Sequence, residues 1–103
     1  NPGVNNRFIM PATGKLKKVL IRSDGTPGST EIGLHKSSNG TEDISLTATE
    51  IQTVNLSTAN TVATATFTDS ASFSASDIIC ISVNPTSVHQ NVDLTIILEL
   101  QPF

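Results

Sequence analysis

Hydrophobic and polar positions alternate along most of this chain at period two, and no stretch sustains a period of 3.6. The strongest run is Ile78–Val83, which Asn84-Pro85 stops. Ile79, Ile81 and Val83 fall on one face of it, with Ile78, Cys80 and Ser82 on the other. β-Branched residues dominate and nothing inside breaks the run, so it predicts a central strand buried on both sides. The cleanest alternation is Val92–Leu100, where Val92, Leu94, Ile96, Leu98 and Leu100 share a face. A slip of one residue would turn all five to solvent.

The remaining segments are shorter. Arg7–Met10 is a strand ended by Pro11, and Ala12-Thr13-Gly14 is a turn. Lys15–Ser23 follows as a strand, with Val19 and Ile21 on one side and Leu16, Lys18, Leu20 and Arg22 on the other. The run Asp24–Ser29 holds two Gly and one Pro and predicts a loop. Thr30–Lys36 turns Ile32 and Leu34 inward and Glu31, Gly33 and His35 outward. Gly33 there marks a bulge or a close neighbouring chain. Asn39-Gly40 predicts a tight turn. Weaker alternation over Glu42–Thr49 predicts another strand, then Ile51–Ser57 and, after a turn at Thr58-Ala59-Asn60, Thr61–Thr68. Asp69–Ser76 reads as a Ser-rich loop pinned by Phe73, and Asn84–Asn91 as a loop.

Seven or eight strands at this spacing, with turn chemistry between them, predict an all-β fold: an antiparallel β-sandwich or jelly roll. Residues 1–6 form a lead-in or linker and residues 7–103 a single β-sandwich domain. Ile78, Cys80 and Ile97 lie on the reverse faces of the last two strands, where a half-solvated sheet would be polar. A second layer of the chain or another subunit must cover them. They are the candidate oligomer interface, and the expected assembly is a trimer around a shared axis.

Charge narrows the picture. Only 15% of residues are charged, and the formal net charge is -3. Ser and Thr make up about a quarter of the chain, so hydroxyls rather than charges hydrate its strand faces. An acidic chain lacks the basic face that nucleic acid requires. The one basic cluster, Lys15, Lys17, Lys18 and Arg22, splits between two strand faces. No apolar run approaches the length of about eighteen residues that a membrane helix needs. Cys80 is the only cysteine, which rules out an intrachain disulfide and suits a small buried hydrophobe. The opening NPGVNNRF looks like a cut inside a longer protein.

The phrases GKLKKVLIRSD, TEIGLHKSSNG, TATFTDSASFSASDIICISVNPTS and VDLTIILEL, in that order over Phe8 to Leu100, resemble β-sandwich domains of bacteriophage structural proteins. The likeness is especially to distal domains of tail or head fibres and related virion appendages. Ser76 departs from the pattern, since such domains carry Gly before the residue at Asp77. The resemblance implies a viral protein of the virion, commonly trimeric, that decorates the particle or serves host attachment. It implies contact with other virion proteins through a region upstream of Asn1, and it transfers no catalytic residue.

Reactive chemistry is sparse. His35 and His89 are the two imidazoles, and no ligand spacing for a metal accompanies them. No G-x-S-x-G elbow supports a serine nucleophile, and no carboxylate pair stands out. We therefore expect no enzyme, no metal and no cofactor. Candidate ligand residues are Asp24, Thr26 and Ser29 in one loop and Thr86, His89 and Gln90 in the other, with a host surface glycan as the partner. The chain has no Trp or Tyr to stack on a sugar. The expected function is a virion structural or attachment module. The alternative is a non-viral carbohydrate-binding or adhesin β-sandwich, which would be extracellular.

Overall fold

The computed structural model of the chain describes residues 7–38, 43–87 and 91–101. Among these residues eight strands run in chain order: β1 Arg7–Ile9, β2 Gly14–Ser23, β3 Gly28–Ser37, β4 Glu50–Leu56, β5 Ala63–Thr66, β6 Ser72–Phe73, β7 Ile78–Pro85 and β8 Val92–Leu100. They form two antiparallel sheets packed as a β-sandwich. The first has the order β1-β7-β3-β4. In the second, β2 is central: β8 pairs with it from Gly14 to Ser23, while β5 and β6 share its other edge.

The core lies between the sheets. Leu16, Val19, Ile21, Ala65, Phe67 and Phe73 meet Ile32, Leu34, Val54, Leu56, Ile79 and Ile81. β7 is interior to its sheet, with β1 on one edge and β3 on the other. This matches its reading as a central strand.

Three local readings change. Leu16 is fully buried beside Val19 and Ile21, not on the opposite face. The cause is a bulge on β2: Leu16 pairs with Leu98 and Lys18 with Ile97, leaving Lys17 as an extra residue. An extra residue reverses the alternation upstream of it. The second change is β6, a two-residue strand inside the segment read as a loop. It pairs Phe73 with Gly14 and Ser72 with Lys15.

The third change concerns the weak strand predicted over Glu42–Thr49. Residues 43–49 form a strap along β3 instead. Ser45 N donates to Lys36 O (3.2 Å) and Thr49 N to Leu34 O (2.7 Å), and Ile44 is buried. Leu46 and Ala48 carry the alternation, yet Leu46 remains 78% exposed.

The two sides of the sandwich differ. On the β4/β5 side the Glu50 carboxylate bridges the sheets. It accepts bonds from Thr68 N (2.8 Å), Thr68 Oγ1 and Gln52 Nε2 (2.8 Å). Partial burial of Glu50 raises its pKa, but the bonds from Thr68 and Gln52 outweigh that and hold it below the usual carboxylate value. A group with a depressed folded pKa stabilises above its unfolded pKa, and that stability is lost as pH falls through the folded pKa. Glu50→Gln is therefore expected to cost about 1 kcal/mol at neutral pH. The gap from wild type should shrink in acid, as measured by urea unfolding at pH 7 and pH 3.

Among the described residues, the β1/β8 side is open. β8 is an edge strand, and between it and β1 lies an apolar groove of about 290 Å³ lined by Phe8, Ile81, Val92, Leu94 and Ile96. Phe8 is 46% exposed there and Leu94 37%.

Ser76 occupies a turn position that favours glycine. Its φ is +74°, in the left-handed region that Gly enters without strain. The turn is held there because Ser76 N donates to Met10 O (2.8 Å), Met10 N to Asp77 O (2.8 Å) and Ser74 N to the Asp77 carboxylate (2.8 Å). Ser76→Gly relieves about 1–2 kcal/mol of strain and forfeits part of it to unfolded-chain entropy. The expected net gain is about 0.5–1 kcal/mol, a rise in Tm of about 2–8 °C by calorimetry.

Candidate functional site

Three places on the surface merit comparison, beginning with the two loops singled out from the sequence. The fold brings them together at one end of the sandwich. Thr86 N donates to Ser29 O (3.0 Å) and Ser87 Oγ to Pro27 O (2.9 Å). Asp24 N donates to Asn91 O (3.1 Å), and Asn91 Nδ2 lies 3.4 Å from the Asp24 carboxylate. Asp24, Thr26, Ser29 and Thr86 are all exposed. Their loops spend these hydrogen bonds on closing one another. His89 and Gln90 lie outside the described residues.

The second place is the outer face of the first sheet, beside the strap. Glu31, Gly33 and His35 of β3 stand opposite Asn84, Ser82 and Cys80 of β7. His35 is outward-facing as the alternation predicts, but it is buried. Its Nδ1 lies 2.8 Å from Ser45 O. A carbonyl only accepts, so Nδ1 carries a proton, and in the neutral ring Nε2 is the acceptor. Ser82 Oγ, 2.9 Å from Nε2, then donates to it. This bond joins residues far apart in the chain, and no sequence motif announces it. The His35–Ser82 bond ties β3 to β7, and the Nδ1 bond to Ser45 O ties the strap to β3, while Ser82 still borders the cleft beside the strap.

Beyond that pair, Glu31, Gly33, Leu46, Ala48, Ile51, Ser82 and Asn84 line a cleft of about 240 Å³ together with His35. Gly33 makes the cleft possible: a Cβ there would stand 2.6 Å from Ser82 Oγ and 3.4 Å from Ala48 Cβ.

The third place is the open β1/β8 side. It bears on the candidate interface of Ile78, Cys80 and Ile97, which the structure divides. Cys80 is 0% exposed within a single chain, so its cover comes from the protein itself and it offers nothing to a partner. Burial pushes its thiol up from the ordinary value more than Arg7 draws it down, which leaves an inert thiol. Ile78 is half-buried. Ile97 is 42% exposed on the outer face of β8, next to the groove that Leu94 and Ile96 line from within. The groove escapes sequence reading because alternation fixes a strand's faces but not whether the strand lies at an edge.

Two members of the basic cluster, Lys15 and Arg22, are paired with acids. Lys15 Nζ lies 3.0 Å from Asp69 and 4.0 Å from Glu99, and Arg22 Nε 3.9 Å from Asp93. The hydrogen bond to Asp69 raises the Lys15 pKa and lowers that of Asp69. Among the described residues, no group of three or more His, Cys, Asp or Glu side chains is placed to hold a metal ion. No helix there is long and apolar enough to cross a membrane. No family model, curated protein or solved structure matches the chain.

Proposed function

We propose that this domain is a non-enzymatic structural and attachment module of a bacteriophage particle, the distal domain of a fibre or related appendage. In this reading three copies meet through their open β1/β8 sides. The observation that carries it is the asymmetry of the sandwich. One side is closed by Glu50 and Thr68, while on the other, among the described residues, Phe8, Leu94 and Ile96 line an apolar groove.

A second copy of this chain suits that side on charge grounds. The acids of β8, Asp93 and Glu99, sit at its two ends and are matched within the chain by Arg22 and Lys15. The stretch between them, Leu94–Leu98, is uncharged. Copies therefore meet across a neutral apolar surface without like-charge repulsion. Neither Lys nor Pro guards the outer edge of β8, and such residues are the usual defence of an unpaired strand. Weak contacts at the exposed end would then add through threefold repetition, by effective concentration.

The test is Leu94→Glu, a change at an already exposed position. It is expected to convert a trimer to a folded monomer in analytical ultracentrifugation. A variant that keeps the wild-type mass would remove the β1/β8 side from the interface.

A further inference from the structure

The cleft on the outer face of the first sheet has a lining unlike that of the groove. At one end are Glu31 and Asn84, an exposed pair across β3 and β7 with Asn84 Nδ2 3.3 Å from Glu31 Oε1. That bond leaves the second Glu31 oxygen, the Asn84 carbonyl oxygen and one Asn84 N–H for other partners. On the floor, Ser82 gives its proton to His35 and so presents lone pairs. The polar atoms are thus mainly acceptors with one donor, a set that hydroxyl groups satisfy. On the rim are the apolar side chains of Leu46 and Ile51, 78% and 50% exposed.

We propose that this cleft binds one hexopyranose residue. Two adjacent sugar hydroxyls engage Glu31 and Asn84, a third points to Ser82, and the C–H face of the ring lies on Leu46 and Ile51. The volume of about 240 Å³ holds a single ring rather than a chain of them. The hydrogen-bonding groups sit on β3 and β7, which are rigid paired strands, so the site is held in place before the ligand arrives. Without an aromatic platform, binding at one site is weak, with Kd on the order of 1–10 mM.

The inference stands on the chemistry of the cleft and not on the virion reading. A trimer that binds no glycoside leaves the assembly proposal intact, and a monomer that binds one upholds this proposal alone.

The experiment is a ¹H–¹⁵N NMR titration of the whole domain with the methyl pyranosides of glucose, galactose and mannose. Methylammonium chloride serves as the competing cationic probe. At least one glycoside is expected to give saturable shifts at the Gly33, Ile51, Ser82 and Asn84 amides. Asn84→Ala and Glu31→Gln, both at exposed positions, are expected to weaken binding about tenfold or more while the rest of the spectrum is kept. Three results would overturn the proposal. One is the absence of saturable shifts for every glycoside up to about 100 mM. Another is binding unaffected by both substitutions. The last is stronger saturation of the same amides by methylammonium, which would make this a cation site.

Discussion

Leu16→Ala is expected to destabilise the domain by about 2–5 kcal/mol, and Leu20→Ala on the same strand by less than half as much. Strict alternation would place the two leucines on the same face with equal costs. The bulge at Lys17 separates them: Leu16 is 0% exposed in the core and Leu20 is half-buried outside it. Its truncation leaves a cavity among side chains that already sit at full packing density, so little relaxation offsets the loss. A domain of this size holds only about 5–15 kcal/mol in total, and Leu16→Ala would consume a large share of it. Equal costs in urea unfolding would mean that β2 runs without a bulge.

Gly14→Ala is expected to be comparably severe for a different reason. Gly14 opens β2 between two neighbours, paired with Leu100 of β8 and with Phe73 of β6. A Cβ there would overlap the Glu99 carbonyl oxygen and approach Leu100 Cα to 3.1 Å. Both are backbone atoms of a paired strand and cannot swing aside as a side chain would. Adding the methyl must push β8 away from the start of β2, at a cost of about 3 kcal/mol, the upper end for overpacking. Calorimetry should show Tm falling by roughly 12–24 °C. A fall of only a few degrees would show that the end of β8 is not held against Gly14.

Much of this fold is legible because strands advertise their faces. Ile32 and Leu34, Ile79 and Ile81, and Val54 and Leu56 are inward where period two places them. Lys17 hides the bulge, since either lysine of the Lys17-Lys18 pair suits a solvated position equally. The strap imitates a strand because Ile44, Leu46 and Ala48 alternate. Only Ile44 is buried, and the strap makes two backbone–backbone hydrogen bonds to β3 rather than a ladder. The candidate sites were the hardest to read. Alternation shows Glu31, Gly33 and His35 on one face, but their union with Asn84, Ser82 and Leu46 depends on strand order and on the path of the strap. Ile97 stands out as an apolar residue on a polar face. Cys80 gives the same signal and is enclosed by its own chain.

In the proposed assembly, the β1/β8 side receives further copies of this chain. The most direct measurement is the native mass of the unmodified domain by light scattering across a range of concentrations. A stable species near three times 10.8 kDa is expected. A species that stays at 10.8 kDa at every concentration would contradict that assembly.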